Sequence, residues 1–476
     1  MKLSELAGEA LQSDPDIKGL ATDSREVREG FLFAALPGGK FDGGAFIPQA
    51  EKNGAAAVLA APGAPTSLPT IRDVVPRRRL AHVAALYYAR QPATIVGVTG
   101  TNGKTSTVRF SAQLWRKLGR GAGSIGTIGA EAPGFARRLL HTTPEPVVLH
   151  ETLRDMSDAG VTHVAMEVSS HALTQHRADG VRFAGAAFTN ITQDHLDFHA
   201  GFEDYFNAKL RLFGDLVSEG GFAAVNADGE GSARVIDAVR GRKLRLLTTG
   251  AGGETLRLET CEPQPKGLSI VVVANGERRT LSLPLIGAFQ AENALLAAAV
   301  VIGSGEDIQR VLPLLASLEG VPGRMQFAAE ARGSGIYIDY AHTPDAVTTA
   351  LRAIRPHAAG RVIVILGAGG DRDRGKRPLM GSAAAALADI VIVTDDNPRT
   401  EEPAEIRAEV LKGADGAVEI GDRREAIRKG VAMLDRGDIL LIAGKGHETG
   451  QIVGDSILPF DDAAEARAAA EERRIT

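Results

Sequence analysis

The stretch ATIVGVTGTNGKTSTVRFSAQLWRKL, residues 93–118, decides the fold. Its first part, Ile95 to Val98, is apolar and rich in β-branched residues, as in a buried strand. A loop with two glycines and a lysine follows, and the remainder is predicted to be helical. A strand that runs through a glycine loop into a helix is typical of a nucleotide-binding parallel sheet. We therefore predict an α/β fold with a central P-loop-type mononucleotide-binding parallel sheet.

The loop suits a bound nucleotide phosphate, because Gly100 and Gly103 permit backbone amides to converge on phosphate oxygens. Lys104 supplies a point charge, and Thr105 can reach Mg²⁺. The usual loop begins with glycine where this chain has Val98, so the loop is shorter at its start. A glycine turn without a ligand is the alternative, but it gives Lys104 no structural role. The predicted ATP-phosphate residues are Gly100, Thr101, Asn102, Gly103, Lys104, Thr105 and Ser106.

Length and composition limit the classes of protein to which the chain can belong. A chain of 476 residues exceeds the roughly 100–200 residues of one ordinary domain, so we expect two or three domains. With 44% hydrophobic residues, 24% charged residues and a net charge of -5, the chain lacks the basic field that nucleic acid binding requires. The absence of a signal peptide and of any membrane-length apolar run predicts a cytoplasmic protein without membrane insertion. The single cysteine, Cys261, can form no internal disulfide.

Apolar runs that end in small or polar residues recur along the chain. THVAMEVSS and GAAFTNIT lie in the middle, and the pattern restarts near residue 321 with GIYIDYAH and DILLIAGKGHE. In parallel sheets, ligands bind outside the carboxyl ends of such strands. The alanine-rich tail AEARAAAEERR predicts a solvated terminal helix. We predict three domains, an N-terminal domain of residues 1–89, a central domain of residues 90–320 and a Rossmann-like C-terminal α/β domain of residues 321–476.

An acidic residue and a histidine follow two of the central apolar runs. Glu167 ends the first run, and His195 lies in NITQDHLD after the second. Oxygen and imidazole ligands at neighbouring strand ends suit a divalent cation that bridges nucleotide phosphates. For His195 alone, a hydrogen-bonded structural histidine is the alternative. Lys209 lies in YFNAKLRLF, whose apolar residues have helical spacing, and composition alone predicts a solvated surface charge there.

Seven motifs, in order and spacing, resemble signatures of the Mur ligase family: GTNGKT, MEVSSHAL, NITQDHLDFH, YFNAKLRLF, GAFQAEN, GVPGRMQ and DYAHTPDA. The resemblance covers essentially the whole chain, from TDSR at residues 22–25 to GKGHE at residues 444–448. It implies an ATP-dependent ligase that forms an amide bond. It also implies that residues 1–89 bind a uridine nucleotide substrate, residues 90–320 bind ATP, and residues 321–476 bind an amino acid and part of the ATP.

The family's functional residues can be carried onto the matching positions of this chain. The resemblance implies that the catalytic residues are Lys104, Glu167, His195 and Lys209. It implies that the magnesium ligands are Thr105, Glu167, His195 and Lys209, with Lys209 carbamylated so that a cation becomes a carboxylate-like ligand. The implied contacts to the ATP base and ribose are Asn293, Arg324 and Asp339. The implied contacts to the UDP-linked substrate are Ser24, Thr142, Thr143, Ser169, Gln175 and Arg177.

The motif Asp396-Asn397-Pro398-Arg399 follows a predicted strand and resembles the family's diaminopimelate-selecting sequence. Physical chemistry agrees, because meso-diaminopimelate carries a distal carboxylate that lysine lacks. The guanidinium of Arg399 can hold a carboxylate through two parallel hydrogen bonds. A surface ion pair after a turn is the alternative for Arg399. The implied diaminopimelate-binding residues are Arg372, Asp396, Asn397, Pro398, Arg399, Gly444 and Glu448.

Together these resemblances imply a ligase of peptidoglycan precursor synthesis. We expect it to use ATP and Mg²⁺ to add meso-2,6-diaminopimelate to the D-glutamyl side-chain carboxylate of UDP-N-acetylmuramoyl-L-alanyl-D-glutamate through an acyl phosphate. His342 is a candidate for the base that takes the amine proton. We expect a monomer whose partners are these small molecules, not nucleic acid or membrane. Three alternatives stay open: a folylpolyglutamate synthetase, the ligase that adds D-alanyl-D-alanine, and a nucleotide-dependent switch that binds ATP without ligation.

Overall fold

The computed structural model of the protein describes residues 1–38, 42–192 and 198–475. The chain divides into two compact units, residues 1–257 with 295–312 and residues 258–294 with 313–476. Each unit consists of mainly parallel sheets with helices packed on their faces, which confirms the predicted α/β class. Among the described residues, no helix is both long enough and apolar enough to cross a membrane.

A four-stranded parallel sheet forms the beginning of the first unit. Its strands are β1 (Gly19–Ala21), β2 (Phe31–Ala35), β3 (Ala57–Ala60) and β4 (Thr70–Arg72), in the order β1-β2-β3-β4. The accompanying helices are α1 (Leu3–Ala7), α2 (Ile47–Lys52) and α3 (Pro76–Tyr88), with a 3-10 turn at Gly43–Phe46. Side chains alternate between the two faces, so Leu32 and Leu59 pack in one cluster and Phe33 and Val58 in another.

A larger central sheet carries the phosphate loop. Its strands in this unit are β5 (Thr94–Thr99), β6 (Ala122–Gly126), β7 (Gly129–Ala132), β8 (Phe135–Arg137), β9 (His163–Glu167), β10 (Phe183–Phe188), β11 (Val217–Asn226) and β12 (Arg245–Gly250). The next strand, β13 (Leu256–Gln264), continues the sheet through the pairing of Thr249 with Leu256. The helices are α4 (Lys104–Lys117), α5 (Pro146–Asp158), α6 (Ser170–Thr174), α7 (Phe202–Arg211) and α8 (Ser232–Gly241), with a π-helical turn at Leu212–Leu216.

The strand order of the central sheet places three loops side by side. Starting at β12, the order is β12-β11-β10-β5-β9-β6-β7-β8, and neighbours from β12 to β6 run parallel. Because β5 lies between β10 and β9, the carboxyl ends of these strands meet at one edge of the sheet. Thr99, Phe188 and Glu167 are the last residues of the three strands. The sequence predicted such a parallel nucleotide-binding sheet, and the sheet is present.

The second unit contains a hairpin, a six-stranded sheet and a second hairpin. The strands are β14 (Gly267–Ala274), β15 (Glu277–Leu283), β16 (Gln326–Ala331), β17 (Ser334–Asp339), β18 (Val362–Leu366), β19 (Ile390–Val393), β20 (Val418–Glu419), β21 (Ile439–Ala443), β22 (Gly450–Val453) and β23 (Ser456–Pro459). The remaining helices of the chain are α9 (Ala288–Gly303), α10 (Ile308–Leu314), α11 (Pro344–Ile354), α12 (Lys376–Leu387), α13 (Pro403–Leu411), α14 (Arg423–Ala432) and α15 (Asp462–Ile475), with 3-10 turns at Leu315–Ser317 and Arg355–His357.

The six-stranded sheet is covered on both faces, as a Rossmann-like domain requires. Its order is β16-β17-β21-β18-β19-β20, with only β16 antiparallel to its neighbour. Along β18, Val362 and Val364 pack in the cluster that includes residues of α11 and α12. Ile363 and Ile365 pack on the opposite face with residues of α14 and α15. Strands buried on both faces explain the continuous apolar runs in the sequence.

The terminal helix α15 corrects one expectation. Ala463, Ala466 and Ala470 recur at helical spacing, are at most 6% exposed, and pack in the cluster that contains Ile338 and Leu440. The helix is therefore amphipathic and covers one face of the sheet. Sequence reasoning missed this face because alanine buries little area and gives a weak hydrophobic pattern.

Candidate functional site

The phosphate loop leaves β5 at the centre of its sheet and leads into α4. Gly100 has a φ of 145° and Gly103 a φ of 85°, conformations that residues with a Cβ atom rarely adopt. A Cβ atom on Gly100 would lie 1.8 Å from Oγ1 of Thr189 and 2.9 Å from the carbonyl oxygen of Asn190. Glycine at position 100 therefore satisfies both the backbone conformation and the close approach of the neighbouring strand end.

Lys104 is the first residue of α4, and its ammonium lies inside the loop. Nζ donates hydrogen bonds to the carbonyl oxygens of Gly100 at 3.0 Å and Thr101 at 2.8 Å. The N-terminal end of the helix adds positive potential at the same place. Thr105 and Ser106 follow in the first turn and are buried, with 7% and 4% exposure. This arrangement suits an anionic ligand such as the phosphates of a nucleotide.

The loop is also held by the residues that follow β10. The backbone N–H of Thr101 donates to the carbonyl oxygen of Asn190 at 2.9 Å, and that of Asn102 donates to Oδ1 of Asn190 at 3.0 Å. The N–H of Thr192 donates to Oγ1 of Thr101 at 3.0 Å, and the hydroxyls of Thr101 and Tyr205 are 2.9 Å apart. The shape of the loop thus depends on a second strand end as well as on its own glycines.

Replacing Gly100 by Ala should lower the melting temperature by more than the same change at Gly119. Both residues have positive φ, 145° and 82°, but a Cβ atom on Gly119 meets nothing within 4 Å. Gly119→Ala should therefore cost only the backbone penalty of about 1 kcal/mol. Gly100→Ala adds a clash with Thr189, and we expect a loss of about 2–4 kcal/mol. Thermal melting of the two variants measures the difference in stability. Equal decreases in melting temperature would show that Thr189 does not limit the space at Gly100.

Glu167 ends β9, directly beside the phosphate-loop strand, and its side chain is held by the loop after β6. The carboxylate Oε1 accepts the backbone N–H of Thr127 at 2.9 Å, and Oε2 accepts the Thr127 hydroxyl at 3.3 Å. A Cβ atom on Gly126 would lie 2.2 Å from Oε1, so glycine leaves room for the carboxylate. Glu167 is 1% exposed. A buried carboxylate at this strand end can hold a cation or orient a substrate.

Three residues predicted to contact the UDP-linked substrate surround Glu167. The hydroxyls of Thr142 and Thr127 are 3.1 Å apart. The Thr143 hydroxyl donates to the carbonyl oxygen of Glu167 at 2.9 Å and accepts the backbone N–H of Ser169 at 3.0 Å. The side chain of Ser169 accepts a backbone N–H from the first turn of α6 and so caps that helix. The structure therefore brings these three residues into one network.

Arg177 and Gln175 extend this network. Nη1 of Arg177 donates to the carbonyl oxygen of Thr143 at 3.0 Å, and Nε and Nη2 donate to Oε1 of Gln175 at 3.1 and 2.7 Å. Nη2 also pairs with Oε1 of Glu145 at 2.9 Å. Burial lowers the pKa of the Arg177 guanidinium, and the nearby Glu145 opposes this shift. The buried cation, linked to Glu167 through Thr143, is suited to a carboxylate or other anionic substrate group.

Ser24 stands apart from this network. It is 6% exposed, follows β1, and its carbonyl oxygen accepts Nδ2 of Asn53 at 2.8 Å. No hydrogen bond among residues 1–38, 42–192 and 198–475 joins Ser24 to Thr142, Thr143 or Arg177. The predicted contact of Ser24 with a uridine nucleotide stays a prediction.

Lys209 is buried, so the prediction from composition of a solvated surface charge is wrong. The residue is 2% exposed and lies on the inner face of α7. Nζ donates to the carbonyl oxygen of Gly100 at 2.8 Å and lies 4.4 Å from the centroid of the Tyr205 ring. A lysine amine thus reaches the phosphate loop from a helix more than 100 residues further along the chain.

Oxygen atoms that suit Mg²⁺ are present at this edge of the sheet, in Glu167 and Thr105. The amine of Lys209 is a cation, so only its carbamate would be a metal ligand. His195 lies outside the described residues. In the described part of the chain, no group of three or more His, Cys, Asp or Glu side chains could hold a metal ion.

In the second unit, Asn293, Arg324 and Asp339 are linked through Gln290. Nδ2 of Asn293 donates to Oε1 of Gln290 at 3.2 Å, and Nε2 of Gln290 donates to the carbonyl oxygen of Arg324 at 3.1 Å. Asp339 accepts the N–H of Met325, the residue after Arg324, at 2.7 Å. Burial raises the pKa of Asp339, although Arg324 opposes the shift. Nε of Arg324 is buried and has no hydrogen-bond partner among the described residues, which leaves a donor for a ligand.

The segment from Asp396 to Arg399 follows β19 and is tied to the loop after β21. Nδ2 of Asn397 donates to Oε2 of Glu448 at 2.8 Å, while Oδ1 of Asn397 accepts Nζ of Lys445 at 2.9 Å. Nη1 of Arg399 donates to the carbonyl oxygen of Gly370 at 2.8 Å, and its backbone adopts a φ of 53°. This positive φ, rare for a residue with a side chain, shows that the loop contacts impose the conformation.

The other residues predicted to bind diaminopimelate lie beside Arg399 and Asn397. A Cβ atom on Gly369 would lie 2.8 Å from Nη1 of Arg399 and 3.9 Å from Cγ of Arg372. The side chains of both arginines therefore lie close to Gly369. A Cβ atom on Gly444 would lie 2.5 Å from Oδ2 of Asp396, a buried oxygen without a hydrogen-bond partner in the described chain. Pro398 is buried, and its carbonyl oxygen contacts Gly370. His342 follows β17, where its carbonyl oxygen accepts Nζ of Lys376 at 3.0 Å and its ring lies 4.6 Å from that of Tyr340, centroid to centroid. Burial lowers the pKa of His342, and the charge of Asp396 is among those that oppose the shift.

Sequence reasoning missed three residues that shape these sites. Thr127 holds the Glu167 carboxylate, Asn190 holds two amides of the phosphate loop, and Lys445 joins Asn397 to Glu448. Asn190 and Lys445 lie within motifs of the sequence, but their partners are distant along the chain. No local pattern marks Thr127.

Three family models match the chain. Residues 16–89 match "Mur ligase family, catalytic domain", residues 98–301 match "Mur ligase middle domain", and residues 323–446 match "Mur ligase, glutamate ligase domain". The matches follow one another in sequence and include the phosphate loop, the Glu167 network and the segment from Asp396 to Arg399. The chain belongs to the Mur ligase family.

Individual proteins resemble the chain over its full length. A protein of Caulobacter vibrioides named UDP-N-acetylmuramoyl-L-alanyl-D-glutamate--2,6-diaminopimelate ligase is 50% identical, with 99% of each chain covered. A protein of Mesorhizobium japonicum with the same name is 47% identical, over 99% of this chain and 100% of the relative. A solved structure described as UDP-N-acetylmuramoyl-L-alanyl-D-glutamate--2,6-diaminopimelate ligase has 32% identity and a TM-score of 0.75, with 100% of both chains covered.

Proposed function

We propose that the chain is an ATP-dependent ligase that joins meso-2,6-diaminopimelate to the D-glutamyl side-chain carboxylate of UDP-N-acetylmuramoyl-L-alanyl-D-glutamate. The names of the full-length relatives support the reaction. The single structural observation that carries it is the pairing of β5 with β9, which places Glu167 and its Arg177 network beside the phosphate loop. An anionic substrate group and a nucleotide triphosphate are thereby expected at one edge of one sheet.

In the first step, an oxygen of the D-glutamyl carboxylate attacks the γ-phosphorus of ATP. The new O–P bond forms as the bond between the γ-phosphorus and the β-phosphate oxygen breaks, which gives an acyl phosphate and ADP. Phosphoryl transfer requires positioning and neutralisation of charge more than covalent help from the protein. Lys104 supplies positive charge inside the loop, and Arg177 orients the anionic substrate.

In the second step, the amine of diaminopimelate attacks the acyl carbon. The C–N bond forms, the C–O bond to phosphate breaks, and the amine proton leaves to a base. We propose that Arg399 and Arg372 hold the distal carboxylate of the amino acid and that Glu448 and Asp396 pair with its ammonium groups. The half-buried position of Arg399, with Nη1 on the Gly370 carbonyl, supports a guanidinium oriented by its loop.

We propose Mg²⁺ as the cofactor, held by Glu167, Thr105, His195 and the carbamate of Lys209. The buried oxygen of Glu167 and the burial of Lys209 against the phosphate loop support this donor set. When bound, Mg²⁺ would neutralise phosphate charge. Carbamylation would remove the positive charge of Lys209, which otherwise competes with a metal cation at the same place.

We also propose a division of labour among three segments and a cellular setting. Residues 1–89 with Ser24 would bind the uridine nucleotide, and residues 90–320 would bind ATP, with Asn293 at its base and ribose. Residues 321–476 would bind the amino acid and, through Arg324 and Asp339, part of the ATP. The enzyme would act as a cytoplasmic monomer in peptidoglycan precursor synthesis. The three successive family-model matches support this division.

Phosphate release from ATP tests the proposed function. With UDP-N-acetylmuramoyl-L-alanyl-D-glutamate and Mg²⁺ present, we expect release with meso-diaminopimelate and release at least tenfold slower with L-lysine. Equal rates with L-lysine would contradict the assignment of Arg399. Release only with D-alanyl-D-alanine and a nucleotide that already carries diaminopimelate, or only with glutamate and a folate, would favour the corresponding rival ligase. Nucleotide binding without any release would favour a switch.

A further inference from the structure

Lys445 is a buried cation to which no function has been assigned so far. It follows β21 and Gly444, and its side chain is 0% exposed. Nζ lies 2.9 Å from Oδ1 of Asn397 and 3.3 Å from Oε2 of Glu448. A fully buried lysine is costly unless its charge is paired and hydrogen-bonded. Both partners are side chains that the proposed function places against diaminopimelate.

The hydrogen bonds to Asn397 determine which way its amide group faces. A lysine ammonium and a backbone N–H can only donate, and both Nζ of Lys445 and the N–H of Ile452 contact the same amide atom, at 2.9 Å each. That atom must therefore be the oxygen. The amide nitrogen then faces Glu448, to which it donates at 2.8 Å, and keeps a second N–H for another acceptor.

Lys445 constrains Glu448 in the same way. Oε2 of Glu448 receives both Nδ2 of Asn397 and Nζ of Lys445. No hydrogen bond from the described residues reaches Oε1, and the side chain is 34% exposed. One carboxylate oxygen is thus occupied by the protein and the other is left for a ligand cation. The ammonium of Lys445 also offsets the negative charge of Glu448, so the carboxylate keeps its position when no ligand is bound.

We propose that Lys445 is a positioning residue for amino-acid selection. It does not touch the substrate. It orients one N–H of Asn397 toward a substrate carboxylate and Oε1 of Glu448 toward a substrate ammonium, which together recognise the zwitterionic end of an amino acid. This inference rests on the proposed function, because it takes Asn397 and Glu448 as contacts of diaminopimelate.

Lys445→Met tests the proposal, since methionine fills a similar volume but donates no hydrogen bond. Loss of a hydrogen bond to a charged group costs about 1.5–3 kcal/mol, so KM for diaminopimelate should rise about 10- to 100-fold. KM for ATP and for the UDP-linked substrate should stay within about twofold of the parent. Lys445→Gln keeps N–H donors without the charge, and its KM for diaminopimelate should lie between those of the parent and Lys445→Met.

The outcomes separate this proposal from its alternatives. An unchanged KM for diaminopimelate in Lys445→Met, or an equal rise for all three substrates, would overturn the positioning role in favour of general support of the fold. If Lys445→Met does not fold, Lys445→Gln decides, because a rise confined to diaminopimelate supports the proposal and no rise or a uniform rise contradicts it. If the parent enzyme uses another amino acid, the proposed function fails, and the same comparison is made with the amino acid that it does use.

Discussion

Replacing Lys104 by Met should reduce the rate of phosphate release by a factor of about 10²–10³, the usual effect of removing one preorganised charge or donor from a phosphoryl or acyl transfer site. Nζ of Lys104 lies within the loop, on the carbonyl oxygens of Gly100 and Thr101. No other lysine lies in the first turn of α4. The expected loss is therefore in kcat, measured by phosphate release at saturating substrates.

Lys117→Met is the matched control for this prediction. Lys117 is the last residue of the same helix and is exposed, so its replacement should leave the rate within about twofold. Both variants are expected to fold, and their melting temperatures are measured beside the parent to confirm it. If the Lys104→Met enzyme keeps more than a third of the parent rate, Lys104 does not take part in phosphoryl transfer as proposed.

Replacing Arg399 by Ala should raise KM for diaminopimelate about a hundredfold while KM for ATP stays within about twofold. Truncating one member of a hydrogen-bonded charge pair costs about 2–5 kcal/mol, and a bidentate guanidinium is the group expected to face the distal carboxylate. The backbone of Arg399 remains fixed in the variant, because its N–H donates to Ile452 at 3.0 Å and its carbonyl oxygen accepts Gly454 at 2.7 Å. The preference for diaminopimelate over L-lysine should fall as well.

Arg374→Ala provides the control for Arg399. The Arg374 side chain is 58% exposed and pairs with Glu409 at 2.8 Å, and none of the proposed roles involves it. Its replacement should leave all three KM values near those of the parent. An equal rise of the diaminopimelate and ATP KM values in Arg399→Ala would show that the arginine supports the loop and does not select the amino acid.

The phosphate loop and its neighbours were predictable because the relevant signals are local. A strand, two glycines and a lysine at residues 95–104 determine a βα turn, and the rule that ligands bind at carboxyl strand ends placed Glu167 near it. The pairing of β9 with β5 agrees with that expectation. Thr127 could not be found in this way, since it holds Glu167 from a loop 40 residues earlier.

Burial of charged residues was harder to predict from the sequence. Lys209 lies four residues after Tyr205 on α7, and both side chains are buried on the same face. This i, i+4 spacing with an aromatic residue was the available signal, but composition favours a solvated lysine. Lys445 gave no such signal, because its partner Asn397 lies 48 residues earlier and meets it only where β19 and β21 end.

Isotope transfer tests the central claim most directly. UDP-N-acetylmuramoyl-L-alanyl-D-glutamate labelled with ¹⁸O in the D-glutamyl side-chain carboxylate is incubated with the enzyme, ATP, Mg²⁺ and meso-diaminopimelate, and the phosphate and the nucleotide product are analysed by mass spectrometry. Ligation through an acyl phosphate predicts one ¹⁸O atom in each released phosphate and one diaminopimelate added to each nucleotide. Unlabelled phosphate, or phosphate without the added amino acid, would contradict the account.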